Sequence, residues 1–365
     1  MTNIKIIDDE ASLEIACREL EQMQTIALDT EFMREKTFAP ILCLIQVYSD
    51  HRDYCIDPLQ INDLGAFGEV IAKPSVTSIL HSCRQDFEAF DTRISQTIAN
   101  LFDTQLAAAF CGYGDQVSYA ALVEELTGVK LAKSHTRANW QTRPLSSSEL
   151  EYAMDDVRYL EAIHDHLTLA LEEAGRFDWF AEECARQLEP DFWRADPDQA
   201  WRRLKGGGNL PPLAHETART LAVWREQQAA LRNRPREWVL STTSLLQISR
   251  ACPANKTQLA DIEGINSGVM RQSSAAILEI CAQSPRDSHA KPLWVRQQLL
   301  DTDQKQRAKG IMNLLRKAAE ELGISASLLA NRNSVERFVR DNVEIELFRG
   351  WRRQVIGEQV LRDYS

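Results

Sequence analysis

The sequence predicts an α/β domain, a mixed sheet flanked by helices, followed by an all-α region, and three observations carry that expectation. From Ile4 to about Arg176 short apolar runs alternate with stretches of helical period, the pattern of strands interleaved with helices. Beyond Leu213 the apolar periods are helical to the end of the chain. Between the two, Asp191 to Leu213 gathers Pro197, Gly206, Gly207, Gly208, Pro211 and Pro212, a density of breakers found nowhere else and therefore the main boundary.

Taken in order, Glu10 to Met23 reads as a helix and Thr25 to Phe32 as a strand. Ile41 to Tyr48 and Asp53 to Ile56 are apolar runs close enough in sequence to pair as an antiparallel hairpin. Val76 to Leu80 is a further strand. Helical patterns follow at Ile61 to Ile71, Arg84 to Ile94, Thr104 to Phe110, Tyr119 to Thr127 and, as one long helix, Ser147 to Glu173. Past the boundary the helices are Ala214 to Arg232, Ser244 to Arg250, Lys256 to Ile262, Ser267 to Cys281, Thr302 to Leu322, Ala326 to Leu329 and Ser334 to Asp341, with a break at Ser284 to Pro292. The two helical halves share a faint repeat, Leu240 to Leu246 against Leu322 to Leu329, each after a long charged helix. The expected division is residues 1–176, a linker 177–212, and helical domains 213–290 and 291–365.

With 365 residues and 44% hydrophobic content the chain can bury two or three cores. It has no basic segment leading into an apolar run at its start, and no run of apolar residues long enough to span a bilayer. A cytoplasmic enzyme without membrane attachment or obligate protein partner is expected. The eight cysteines are scattered, without a Cys-x-x-Cys pair or zinc-ligand spacing, and read as reduced core thiols. A net charge of −11 argues against a polyanionic partner. Its distribution removes the objection: the acidic excess lies in the first half, whereas Trp201 to Leu240 carries Arg202, Arg203, Lys205, Arg219, Arg225, Arg232, Arg234 and Arg236 against three glutamates.

The chemistry-bearing residues are acidic. In Ile26-Ala-Leu-Asp-Thr-Glu-Phe32, Asp29 and Glu31 stand two apart on a strand and so share a face. Two carboxylates aimed together raise one another's pKa, and a hard divalent cation with oxygen ligands relieves the repulsion; the competing reading is a surface pair at a strand end. Asp86 falls in the first turn of the helix after Leu80, and Asp103 just precedes Thr104; either position also suits an acid that only complements a helix N-terminus. In Glu151-Tyr-Ala-Met-Asp-Asp-Val-Arg-Tyr-Leu160, Tyr152 and Asp156 lie four apart on one helix face, while Asp155 is turned toward solvent.

The order and types together, strand Asp-x-Glu, helix-start Asp, then Tyr-x-x-x-Asp, resemble the DEDD exonuclease superfamily in its tyrosine-bearing branch, and within it the bacterial ribonuclease D family. Trp140-Gln-Thr-Arg-Pro-Leu145 and Gln46 add to the likeness, which covers essentially the whole chain. The resemblance implies an RNase H-like exonuclease domain followed by two helicase-and-RNase-D C-terminal (HRDC) domains, the second divergent. It implies a 3′-5′ exoribonuclease that holds two divalent ions, Mg²⁺ or Mn²⁺, on Asp29, Glu31, Asp86 and Asp156, with Tyr152 orienting the attacking water. RNA, in the form of tRNA precursors with 3′ extensions, is the expected partner. Phe32 and Met33, beside Glu31, are the expected contacts to the 3′ end, Gln46 is a further expected substrate-binding residue, and Arg234 and Arg236 are expected to meet phosphates. The alternatives are a DNA 3′-5′ exonuclease of the same superfamily, or a non-catalytic HRDC-type nucleic-acid-binding protein.

Overall fold

Six strands form one mixed sheet in the order β1-β4-β3-β2-β5-β6: β1 (Lys5–Ile7), β2 (Thr25–Met33), β3 (Ile41–Ser49), β4 (Arg52–Ile56), β5 (Thr77–Leu80) and β6 (Leu101–Asp103). β3 and β4 make the antiparallel hairpin expected from their spacing, while β1 runs parallel to β4 and β2, β5 and β6 run parallel in succession. The computed structural model describes residues 4–132, 138–284, 293–294 and 299–364. Apart from Ser284, the expected helix break at Ser284 to Pro292 lies outside the described residues.

Strands β1 and β6 escape the sequence pattern because three residues are too few to show a period of two. β3 is central and buried on both faces from Leu42 to Val47, which is why it reads as a continuous apolar run. Helices α1 (Glu10–Leu20), α2 (Gly65–Ile71), α3 (Arg84–Phe90), α4 (Thr104–Phe110), α5 (Tyr119–Thr127), α6 (Ser147–Asp155), α7 (Leu160–Glu173) and α8 (Phe177–Leu188) accompany the sheet. α7 buries Leu160, Ile163, Leu167 and Leu171 along one stripe and packs on β2 and β5; each such side chain contributes about 1.5–3 kcal/mol.

Start signals are explicit in the caps. Asp103 accepts from the Gln105 and Leu106 amides to open α4, and Ser146 with Glu149 closes a capping box on α6. The long helix expected over Ser147 to Glu173 is instead two helices, α6 and α7, separated by a turn at Asp156 to Tyr159.

The described chain falls into two compact units. The first holds the sheet, its helices and also Leu300–Ser365. That last segment is anchored on α8. Trp351 stacks on Trp179 with centroids 5.0 Å apart, and Glu183 accepts from Trp351 Nε1 at 3.0 Å and from the Arg352 guanidinium. The expected linker 177–212 therefore begins with a packed helix of the sheet unit.

The second unit comprises Arg194–Leu299 together with Arg34–Ile41. Its helices His215–Leu231, Thr242–Ala251, Lys256–Ala260 and Ser267–Gln283 enclose a core of Leu221, Leu245, Ile248, Leu259 and Ile277. Asn233, at φ 43°, receives the Phe38 and Ala39 amides on its Oδ1, both at 3.1 Å.

Candidate active site

Strand alternation places Thr25, Ala27, Asp29 and Glu31 on one face of β2, and Thr25 identifies that face by donating to Glu161 of α7 at 3.0 Å. Asp156 follows the last residue of α6, and its charge, with that of Asp86, bears on both Asp29 and Glu31. Asp86 reaches the group from α3. Thr30, pointing the opposite way from its neighbours on β2, donates its hydroxyl to Asp86 Oδ1 at 2.6 Å. The strand that offers two carboxylates thus also fixes a third.

The turn that delivers Asp86 is set by Asp103, whose carboxylate accepts the Ser82 and Cys83 amides at 3.2 and 3.1 Å. Ser82 is held there at φ 64°, a left-handed conformation that a non-glycine residue adopts only at a cost. Asp103 thus holds the backbone that runs into α3 and caps α4 with the same carboxylate.

Burial and mutual repulsion dominate the electrostatics. Burial first, then the charges of Asp86, Asp156 and Glu31, hold the Asp29 carboxyl well above the ordinary range. Glu31 is pushed up to about 8 by burial and then by Asp156 and Asp86. Asp86 and Asp156 rise to about 7, each chiefly by burial. Among the described residues no group of three or more His, Cys, Asp or Glu side chains is already arranged to hold a metal ion. An all-oxygen donor set of four acids suits a hard divalent ion, whose charge would relieve their repulsion. The residues present fit such a group.

A consequence for stability follows with a definite sign. Carboxylates whose folded pKa lies above the unfolded value bind more protons in the folded state between about pH 4 and 8, so stability falls as pH rises through that window. The metal-free protein is expected to melt at lower temperature at pH 8 than at pH 6, and millimolar Mg²⁺ or Mn²⁺ to raise the pH 8 melting temperature. Calorimetric scans in EDTA and in metal measure both; a melting temperature insensitive to metal at pH 8 would contradict the ligand set.

Tyr152 projects from α6, half-buried, with its ring stacked on buried Trp140 at 6.3 Å and 27°. Burial first, then the charges of Asp156, Glu31 and Asp29, raises its phenol to about 12, so the hydroxyl keeps its proton at any working pH. Arg143 organises the stretch that carries Trp140. It pairs with Asp57 through Nε and Nη2 at 2.5 and 2.8 Å, and donates to the carbonyls of Trp140 and Cys43 at 2.8 and 2.6 Å.

Comparison with known proteins says which reaction the chain serves. Residues 4–172 match the 3′-5′ exonuclease domain family and residues 215–281 the HRDC domain. The chain is 36% identical to ribonuclease D of Pseudomonas paraeruginosa, covering 98% of this chain and 96% of that protein. It is 34% identical to ribonuclease D of Acidiphilium cryptum over 98% of this chain and 92% of that one. The chain belongs to the ribonuclease D family. The crystal structure of Escherichia coli RNase D, described as an exoribonuclease involved in structured RNA processing, superposes with a TM-score of 0.88 at 29% identity, over 99% of this chain and 98% of that one. Membership places this ribonuclease D homologue among the 3′-5′ exoribonucleases that depend on divalent metal, and the exonuclease fold with a helical HRDC region matches the expected fold class.

The expected substrate contacts are disposed unequally. Phe32 and Met33 end β2 beside Glu31, both half-buried. Gln46 lies on the carboxylate face of the sheet, since Tyr48, two residues on, is near Glu161 and Arg158. It is wholly buried, however, and its amide atoms have no hydrogen-bond partner among the described residues; burial bars it from touching RNA directly. Arg234 is exposed. Arg236 is engaged within the second unit by buried Glu226, at 2.5 and 2.6 Å, and by the Phe38 ring 4.6 Å below its guanidinium. Asp155 does not simply face solvent, because it accepts from Arg158 at 3.1 Å.

Sequence reading missed Thr30, Arg158 and Tyr119. Thr30 had a signal, its place between two site acids; Tyr119 had none. Six cysteines are buried and two half-buried, and burial pushes Cys17 and Cys55 up to about 12, as inert core thiols should be. Among the described residues no helix is long and apolar enough to cross a membrane.

Proposed function

We propose that this ribonuclease D homologue is a cytoplasmic enzyme that trims 3′ extensions from tRNA precursors, one 5′-mononucleotide per cycle, using two Mg²⁺ or Mn²⁺ ions. The reading is supported by the mutual electrostatic influence of four desolvated carboxylates, three of which, Asp156, Glu31 and Asp29, also bear on the Tyr152 phenol. Asp29, Glu31 and Asp156 would hold one ion, with Asp29 reaching the second and Asp86 acting on it. When bound, the ions supply the positive charge that makes water a nucleophile near neutral pH and stabilises the departing 3′ oxygen.

The chain's own groups do the rest. Tyr152, protonated throughout, orients the incoming water by its hydroxyl, and the Trp140 ring keeps the phenol in place. Phe32 and Met33 line the entry of the terminal nucleotide, where an apolar face can stack on a base. Arg234 offers a phosphate contact, with exposed Trp238 four residues away in sequence.

A tRNA bearing a 3′ trailer, digested with and without EDTA and with its products mapped, tests polarity, metal need and substrate together. Loss of mononucleotides from the 3′ end only, abolished by EDTA, is expected; equal or faster digestion of the matched DNA strand would overturn the RNA assignment. Tyr152→Phe is expected to slow cleavage roughly 10²-fold while leaving the metal-induced rise in melting temperature intact. Unaltered kinetics would remove Tyr152 from the mechanism.

A further inference from the structure

The backbone bond that would continue α6 into α7, from the Tyr159 amide to the Asp155 carbonyl, is not formed. Around it the Asp156 amide turns back to Ala153 at 3.3 Å, those of Val157 and Arg158 both reach Met154 at 3.1 Å, and regular bonding resumes with Ile163 to Tyr159 at 3.0 Å. In the gap sits the hydroxyl of Tyr119, from the first turn of α5. It donates to the Asp155 carbonyl at 3.0 Å, with the Tyr159 backbone N–H close by. The phenol thus satisfies the carbonyl that the interrupted ladder leaves over, and a side chain inserted into the ladder is a recognised cause of a helix break.

Tyr119 has little freedom to be elsewhere. Ser118 caps α5 by accepting the Ala121 amide at 3.3 Å. The Tyr119 ring packs edge-on against His81 at 5.7 Å and 60°, and the His81 imidazole bridges Thr104 Oγ1 and the Val117 carbonyl at 2.9 and 3.1 Å. The segment running into α3, which carries Asp86, and the break that carries Asp156 are therefore joined through one ring and one hydroxyl. Asp156 is the first residue past α6, at φ −76° and ψ −9°, with its charge directed on Glu31 and Asp29.

We infer that Tyr119 is a positioning residue for the metal site: its hydroxyl holds open the break between α6 and α7 that aims the Asp156 carboxylate at Asp29 and Glu31. Without that oxygen the Asp155 carbonyl and Tyr159 amide bond to one another, the two helices run together, and Asp156 leaves its place. The inference rests on Asp156 being a ligand, as proposed above.

Tyr119→Phe keeps the ring and deletes the oxygen. The full-length variant is expected to bind Mn²⁺ roughly 10- to 100-fold more weakly, the usual cost of losing a group that orients a ligand. Affinity is read from melting temperature against Mn²⁺ concentration without RNA, and the cleavage rate should recover as Mn²⁺ is raised. Ser118→Ala, which loosens the start of α5 without touching the hydroxyl, should shift affinity the same way by less, and serves if the first variant does not fold. An unchanged Mn²⁺ titration in Tyr119→Phe, or in Ser118→Ala where that variant serves instead, overturns the inference. Asp156→Asn separates the two claims: if it too leaves Mn²⁺ binding unchanged, the ligand set itself is wrong.

Discussion

Asp29→Asn is expected to lower RNA hydrolysis by at least about 10³-fold, the upper end of what removing one preorganised electrostatic contact costs, while making the metal-free protein more stable. The two effects have one cause. Asp29 is held far above the ordinary carboxylate range by burial and by three neighbouring acids, so above its unfolded titration range folding must either protonate it or bury its charge, and both oppose folding until a cation takes the proton's place. Asparagine has the same shape, keeps an acceptor oxygen and lacks the charge. Melting in EDTA at pH 8 should therefore move up relative to wild type, and the stabilisation by Mn²⁺ should shrink. A variant that is inactive and also less stable in EDTA would mean that Asp29 serves the fold, and the ligand assignment would fail.

How much of this was legible in the sequence differs element by element. The shared face of Asp29 and Glu31 follows from strand period alone, and the hairpin of β3 and β4 from the short gap between two apolar runs. Asp103 was readable as a helix cap, and it is one. Its second task, holding the Ser82 and Cys83 amides, depends on β5 lying beside β6, a pairing that no local pattern announces. The break after Asp155 was illegible for a related reason. Ser147 to Glu173 has helical period throughout, and the group that interrupts it comes from Tyr119, 36 residues upstream of Asp155. Tyr152 and Asp156 were read as i and i+4 partners on one continuous helix; they stand instead in the last turn of one helix and in the turn beyond it. Arg236 shows the reverse limit, since a basic run looks alike whether its guanidinium meets solvent or a buried Glu226.

Arg158→Ala is expected to cost about 3–5 kcal/mol, the penalty for stripping a buried ion of its partner, and to lower the melting temperature by roughly 10 °C. Arg158 lies in the turn between α6 and α7 and spans it to the sheet. Its Nη2 and Nε reach Asp53 of β4 at 2.6 and 3.1 Å, and its Nη1 reaches Glu151 at 2.8 Å and Asp155 at 3.1 Å. The three acids do not share the loss equally. Glu151 and Asp155 side chains are 47% and 38% exposed and are resolvated by water at little cost. Asp53 is 3% exposed and is left as a buried charge. Arg158→Lys should fall between, because one ammonium cannot span Asp53 and Glu151 with the geometry of a guanidinium fork. Pairing Arg158→Met with Asp53→Asn should recover most of the stability, since the charge that was stranded is gone. Activity should not return with it, because the turn holding Asp156 has lost its tie to β4. Urea melts of the single and double variants measure the first claim and cleavage rates the second; a loss below about 1 kcal/mol in Arg158→Ala would make the network an ordinary surface pair.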